Sequence, residues 1–489
     1  MERLSEALTP EYLEEQRLLP LRLEEDAVLV AAAGRPDPQA VAELGLLFGV
    51  PVELVEAGEE ELVSAARRAY GREASTAAEL IAELGPGEAS GEVELGTHDL
   101  EGLANQPPVV RLVNLLLSEA VDVGASDVHL EAGAQALRVR YRIDGVLQEA
   151  PAPPAHLRSA MVSRLKIMAE LDIAERRVPQ DGRIRLRVEG RELDVRVSTL
   201  PTLHGESVVL RLLDAERQRH ELEGLGMGED TLEGILAFAS RPQGVLLATG
   251  PTGSGKTTTL YALLERISTG REKIVSVEDP VEYELAGVAQ VPVHRGAGLT
   301  FARALRSILR QDPDVLLVGE MRDPETAEIC IQASMTGHLV LSTLHTNDAP
   351  SALTRLLDLG IPDYLVASTV EAVLAQRLVR RSCPECSRLE PPTEAARLEM
   401  ARDGWEVERV RRGEGCPACR GTGYRGRSGV YEFLTVDEAI RAEILRRRGS
   451  GEIRRLAAER GMRSLRTDGW RQVAAGVTTP EEVLRVTVG

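Results

Sequence analysis

At 489 residues the chain is too long for one core, and roughly three or four domains are expected. Its 43% apolar and 28% charged residues mark a globular protein. No apolar run reaches the about 18 residues of a membrane span, and the acidic opening "MERLSEALTPEYLEEQ" lacks the apolar centre of a signal peptide. A membrane-spanning or exported chain is thereby disfavoured, and a cytoplasmic one is expected. The net charge of −19 is uneven: residues 1–105 hold 23 acidic and 7 basic side chains, −16 of the total. Such an acidic front suits solubility, or docking on a basic partner surface.

Residues 1–70 alternate helical and strand-like runs ("AVLVAAA", "PVELVEA") and read as a small α/β domain. Residues 71–105, with "GPGEASGEVELGTHDLEG", lack periodicity and read as a flexible acidic linker. Residues 106–240 open with the helical run "VVRLVNLLLSEAVDVG" and continue in alternating strands joined by "IDG" and "VEGR" turns, an α+β sheet domain. From 241 to 382 apolar strands alternate with helices ("GVLLATG", "IVSVE", "VLLVGE", "HLVLSTLH"), the pattern of a doubly wound parallel sheet. Paired cysteines mark an insertion over 383–425, and 426–489 is arginine-rich and reads as helical.

The stretch "GVLLATGPTGSGKTTTLYALLERI" places a glycine-rich loop between an apolar strand and an amphipathic helix. Gly250, Pro251, Thr252, Gly253, Ser254, Gly255, Lys256, Thr257 and Thr258 form the expected nucleotide-binding loop. Glycines let backbone N–H groups close around phosphates, and the following helix N-terminus adds positive potential. Lys256 is expected to bridge the β- and γ-phosphates of ATP, and Thr257 to place its hydroxyl on Mg²⁺. Only three lysines occur in the chain (Lys166, Lys256 and Lys273), against 55 arginines, so this one is not interchangeable.

Three following strands each bring polar groups nearby: "IVSVEDPVEYEL" with Glu278, Asp279 and Glu282, "DVLLVGEMRD" with Glu320, and "GHLVLSTLHTNDA" with His338 and His345. Singly these read as solvated loops. In register after a phosphate loop they point to the C-terminal edge of an open α/β sheet, where ligands bind. "DVLLVGEMRD" departs from the usual magnesium strand, because Gly319 stands where an aspartate is usual and Glu320 follows. Phosphoryl transfer also needs cations beyond one lysine, and the α+β domain offers Arg183, Arg196 and Arg211 on strands whose other reading is a plain solvent face. Cys383-x2-Cys386 and Cys416-x2-Cys419 lie 29 residues apart on Pro- and Gly-bearing turns, which suits a closed structural Zn²⁺ site rather than a redox pair. Cys330 lies in a helical run and reads as packing.

Together the phosphate loop and these three strands resemble the secretion ATPase superfamily, whose magnesium strand typically ends in Gly-Glu. The resemblance implies a RecA-like ATPase domain preceded by a PAS-like α+β domain. It assigns Glu282 as general base for the attacking water and Glu320 as organiser of Mg²⁺ through water. It also gives His338 and His345 γ-phosphate-sensing or linking roles, and makes Arg196 and Arg211 nucleotide contacts, with Arg183 less defined. Retraction-type pilus ATPases lack the tetracysteine insert, whereas assembly ATPases of type II secretion (the GspE family) and of many type IV pili carry it. "RLKIMAELDIAERRVPQDGRI" and "LRQDPDVLLVGEMRDPETA" are similar to that branch. Residues 1–70 are similar, more loosely, to its platform-docking N-terminal domain. No repeated Arg-Leu-Gly motif suggests the cyclic di-GMP module of some pilus ATPases.

The resemblance therefore implies a homohexamer held at the inner membrane by a platform protein's cytoplasmic domain through residues 1–105. It would drive pseudopilin assembly for type II secretion, with type IV pilus extension as the neighbouring alternative. A nucleic-acid translocase is a different class, and the sequence shows no aromatic-interleaved basic groove for a strand. A non-hydrolysing scaffold is a third class, at odds with intact Lys256, Thr257, Glu282 and Glu320.

Overall fold

Among the described residues, apolar runs broken by Gly, Asp and Pro form strands that pair into four sheets. The computed structural model describes residues 4–487 apart from 6–7, 9, 24–25, 59–60, 63–64, 67–75, 85–96, 135, 189–190 and 214–219. The chain divides into two compact units, residues 1–143 with 147–212, and 144–146 with 213–489.

In the first unit, β1 (Leu18–Leu23), β2 (Val28–Ala32) and β3 (Val52–Glu56) form a small sheet, β1 antiparallel and β3 parallel to β2. The β2–β3 crossover is the helix Pro38–Phe48. Asp37 caps it by accepting from Gln39 N at 2.9 Å, and a proline opens its first turn. Leu18, Leu19, Val28, Val30 and Leu44 close its core.

The larger sheet of this unit contains β4 (Asp127–Ala132), β5 (Leu137–Ile143), β6 (Val146–Glu149), β7 (Gln180–Val188), β8 (Arg191–Thr202) and β9 (Gly205–Leu213), in the order β6-β5-β4-β9-β8-β7. The helix Pro107–Asp122 presents Val109, Leu112, Val113, Leu116, Leu117 and Ala120 at three- and four-residue spacing, one apolar face packed with Val128, Leu130, Val139 and Val208. The expected flexible linker is corrected in part. Ala77–Leu84 and Thr97–Ala104 are helices, and Ala77 and Leu80 are buried in this core. Ala77 N donates to Glu119 at 2.7 Å, so a carboxylate from the long helix meets the free N–H groups of the short one. The stretch 85–96 lies outside the described residues.

The second unit is built on a seven-stranded sheet in the order β12-β11-β13-β14-β10-β15-β18. Its strands are β10 (Gly244–Thr249), β11 (Ile274–Glu278), β12 (Val288–Pro292), β13 (Val315–Val318), β14 (Leu339–Leu344), β15 (Val370–Ser382) and, after the short pair β16 (Ser387–Glu390) and β17 (Val410–Gly413), β18 (Tyr424–Thr435). All neighbours are parallel except the antiparallel edge pair β15–β18. β10, β11, β13 and β14 are buried along their whole length, as strands covered on both faces must be.

Two expected boundaries shift. Residues 222–239 belong with this unit, because Leu222, Ile235 and Phe238 share the core of Leu246, Tyr261 and Leu374. The segment 426–489 is also not purely helical: β18 pairs from Ala372↔Thr435 to Ser382↔Tyr424 and completes the main sheet. The cysteine insertion is thus held at both ends by one hairpin.

Candidate nucleotide site and metal centre

The chain leaves β10 toward β11 on one side and returns to β15 on the other, so the loop after β10 sits at the switch point of strand order. Gly250 has φ 147°, and a Cβ there would meet Gln376 O at 2.5 Å and Ser254 Oγ at 2.7 Å; only glycine lets the loop leave the sheet here. Lys256 opens the helix Lys256–Ile267 and donates from Nζ to Gly250 O at 2.7 Å and Pro251 O at 3.0 Å. Burial, then the positive Arg377, pulls its ammonium down to about 8, although the Glu320 carboxylate acts the other way. Ser254 Oγ is buried without a hydrogen-bond partner among the described residues, a donor that suits a phosphate oxygen. Thr257 and Thr258 are partly buried on the first turn, while Pro251, Thr252 and Gly253 are exposed at the loop tip.

Glu320 follows β13 directly. Its carboxylate is 13% exposed, accepts from Arg322 Nε at 2.6 Å and lies 3.5 Å from His345 Nε2. The strand end is pinned from β14: Ser342 Oγ donates to Val318 O at 2.8 Å and Thr343 Oγ1 to Gly319 O at 2.7 Å. Gly319 donates to Val277 O at 2.8 Å, and a Cβ on it would lie 3.3 Å from that oxygen and 3.4 Å from Glu278 Cα. A side chain at 319 would therefore have to push this backbone aside by a few tenths of an ångström. Glu278 ends β11 and is buried, not a solvated turn residue; burial raises its carboxyl against hydrogen bonds from Ser276 at 2.6 Å, Tyr261 and Gln290. Glu282, four residues on, is partly buried.

One expected ligand group is misplaced. His338 precedes β14, and the parallel register sets Leu339 against Gly244 and Leu344 against Thr249. His338 therefore lies at the edge where β10 begins, about 20 Å of strand from the phosphate loop at roughly 3.3 Å per residue. Its Nδ1 meets Ala333 O at 2.7 Å and Thr336 Oγ1 at 3.1 Å, closing the end of the helix Pro324–Met335. His345 follows the other end of β14 and is the histidine beside Glu320.

Two residues of β15 escaped sequence reasoning. Gln376 accepts from Thr259 Oγ1 at 2.9 Å, and Arg377 donates to Gln376 O at 3.0 Å and Asn347 O at 2.9 Å. Arg377 Nη1 is 3.1 Å from where a Gly250 Cβ would be, so a second cation borders the phosphate loop. Nothing in "VLAQRLVRR" marks them; parallel pairing of β15 with β10 brings them there.

On the six-stranded sheet, Arg183 and Arg196 are cross-strand partners in the β7–β8 register. Arg183 pairs with Asp194, and its guanidinium is lowered by burial and then by Arg185 and Arg196. Arg211 faces Asp127 across β9–β4 at 3.1 Å.

The four cysteine sulfurs lie within 4.8 Å of one another, with Cys383–Cys416 at 3.9 Å, Cys386–Cys419 at 3.8 Å and Cys416–Cys419 at 3.7 Å. A tetrahedron of Zn–S bonds of about 2.3 Å has edges of about 3.8 Å, so the donor set fits zinc. Burial raises Cys419, but backbone N–H groups of Cys416 (3.1 Å) and Gly423 (3.3 Å) outweigh it and hold the thiol down to about 6. Cys330 is fully buried, and burial raises its thiol, as suits a packing residue.

Residues 102–485 match the family model for type II/IV secretion system proteins, and residues 1–76 match the MshEN domain. The chain is 46% identical to type II secretion system protein E of Xanthomonas campestris over 99% of its length and 85% of that protein. It is 45% identical to type II secretion system ATPase E of Vibrio cholerae over 92% of its length and 90% of the relative. Among solved structures it is similar to the pilus retraction motor PilT with bound ADP, at 27% identity and TM-score 0.51, over 76% of this chain and 96% of that one. The Legionella pneumophila ATPase DotB shares the fold at 20% identity and TM-score 0.57, over 78% of this chain and 96% of that one.

Proposed function

The chain belongs to the family of type II secretion ATPases, and on that premise we propose how its residues divide the work of ATP hydrolysis. The observation that carries the reading is the convergence of Lys256, Glu320 and His345 at one edge of the sheet, around a loop with an orphaned buried hydroxyl. The loop N–H groups and the N-terminus of the helix Lys256–Ile267 hold the phosphates. Lys256, released from Gly250 O and Pro251 O, spans the β- and γ-phosphates. Thr257 would hold Mg²⁺ directly and Glu320 through water, and the ion would supply positive charge to the phosphates. Glu282 takes the proton of the attacking water. Cys383, Cys386, Cys416 and Cys419 hold a structural Zn²⁺ that closes the insertion between β15 and β18.

Beyond hydrolysis, the chain acts as a homohexamer at the cytoplasmic face of the inner membrane. Residues 1–105 dock on the cytoplasmic domain of a secretion platform protein, and turnover drives pseudopilin addition. The arginine-rich C-terminal helices favour this over nucleic-acid translocation, since Arg447, Arg448, Arg454 and Arg455 pair with Asp363, Glu452, Asp348 and Glu459. Two measurements test the reading. Steady-state ATP turnover of Glu282→Gln and Glu320→Gln should fall to near background, and wild-type rates would overturn the assignments. A pull-down with the full chain should recover a secretion platform protein; recovery of a pilus platform instead would transfer the function to pilus extension.

A further inference from the structure

The segment that bears Glu282 is tied to the phosphate-loop helix by a buried polar frame centred on Gln290 and Tyr261. Tyr261 lies one turn after Thr257 on the helix Lys256–Ile267 and is fully buried. Its hydroxyl donates to Glu278 and lies 3.5 Å from Glu282 N, a long contact. Gln290 stands on the edge strand β12, paired with Ser276 of β11. Its Oε1 accepts from Leu285 N at 2.8 Å, and its Nε2 reaches Tyr283 O at 3.1 Å, Tyr261 Oη at 3.3 Å and Glu278 Oε1 at 3.3 Å. The Tyr283 ring meets the Tyr261 ring edge-on at 4.8 Å. One amide thus grips the backbone just past Glu282 at two points, while its donor side meets the phosphate-loop helix.

We propose that Gln290 and Tyr261 are positioning residues for the attacking-water base, fixing the Glu282 segment against the helix that begins with Lys256. Neither touches the reacting atoms by this reading. Their effect is on placement, and a misplacement of about 1 Å can cost on the order of a hundredfold in rate. The frame also explains why buried polar groups are kept here: Glu278, Ser276, Tyr261 and Gln290 satisfy one another, and removing one leaves its partners unpaired.

The proposal rests on Glu282 being the base, so the test is a double-mutant cycle on the full chain. Tyr261→Phe keeps the ring contact and removes the hydroxyl; Gln290→Met keeps the length and removes both grips. Each is made alone and together with Glu282→Gln. kcat, KM for Mg-ATP, the Kd of a fluorescent ADP and the melting temperature are measured. The expected result is a loss of kcat of about tenfold or more in each single variant, with ADP affinity within about twofold of wild type. Neither variant should lower the residual rate further in the Glu282→Gln background. Equal losses in both backgrounds, or ADP affinity falling as much as kcat, would overturn the proposal and leave a frame that merely supports the phosphate loop. Should Glu282→Gln alone turn over at the wild-type rate, the base assignment fails, and the positioning role fails with it. Should Glu282→Gln be impaired while Tyr261→Phe and Gln290→Met retain wild-type kcat, the base stands and the positioning role falls.

Discussion

The two histidines that flank β14 give a sharp test of the site's geometry. His338→Ala and His345→Ala are the same chemical change at opposite ends of one strand. With about 20 Å of strand between His338 and the phosphate loop, even a fully charged imidazole would act on the γ-phosphate with only about 0.2 kcal/mol in water, before salt screening with a length of about 8 Å. His338→Ala should therefore leave kcat and KM within about 1.5-fold of wild type. It should lower the melting temperature instead, because the Nδ1 contacts to Ala333 O and Thr336 are lost at about 1 kcal/mol. His345 lies 3.5 Å from the Glu320 carboxylate and is itself 43% exposed, so solvent screening limits the contact to about 0.5–1 kcal/mol. Because the contact is to the metal-ordering carboxylate, His345→Ala should reduce kcat about two- to fivefold with little change in melting. Steady-state turnover with parallel thermal melts separates the two. A His338→Ala variant that folds normally yet loses turnover as His345→Ala does would refute the argument from strand register.

Zinc should be present at one ion per chain, with an X-ray absorption fit of four sulfurs at about 2.3 Å; Cys386→Ser should lose the metal and lower the melting temperature, whereas full-strength binding with nitrogen or oxygen ligands would contradict the tetracysteine site. Nucleotide affinity should be flat below pH about 8 and weaken above it as Lys256 loses its proton, and Arg377→Gln, by removing the neighbouring positive charge, should move that break upward; isothermal titration across pH 7–10 reads both. Glu482, 2% exposed, holds Arg380 at 2.6 Å and Arg485 at 2.8 Å, and against the upward push of burial these arginines keep its carboxyl at about 2. Its stabilisation is present above the ordinary carboxylate pKa and lost as pH falls through about 2, so Glu482→Gln should cost about 3 kcal/mol at pH 7 and progressively less below pH about 4.5, read by hydrogen exchange in the helix Pro480–Thr487.

What the sequence made legible follows the range of the interactions involved. The phosphate loop was readable because its strand, glycines, lysine and helix are contiguous, and the cysteine pairs because each lies on one turn. His338 was misplaced although the signal was there: it precedes the run "LVLSTL", and in a parallel sheet a residue before a strand lies at the edge away from the ligand. The linker hid the helix Ala77–Leu84 because an eight-residue amphipathic stretch beside Gly and Glu runs carries little periodicity. Its helicity is supported by burial of Ala77 and Leu80 and by Glu119, 42 residues away. In sequence β18 blends into a helical, arginine-rich region because its arginines obscure the alternation; pairing with β15 decides it. Gln290, Tyr261, Gln376 and Arg377 gave no local sign, since each is placed by a neighbour far along the chain.

Gly319 joins these levels. β13 lies between β11 and β14, and its last turn of backbone is bonded on both sides, to Val277 O and from Thr343 Oγ1. A carboxylate at 319 would have to enter the tight space beside Glu278 Cα, near a carboxyl that is itself buried and raised by that burial. Two carboxylates forced together there would repel one another, and one would take up a proton and cease to attract a cation. Moving the acid one residue on, to Glu320, carries it past the end of the strand, where Arg322 and His345 meet it and its side chain is 13% exposed. With glycine at 319 no second acid stands beside the buried Glu278, which anchors the Glu282 segment, while the strand beside it still carries the Glu320 carboxylate past its end to the phosphate edge.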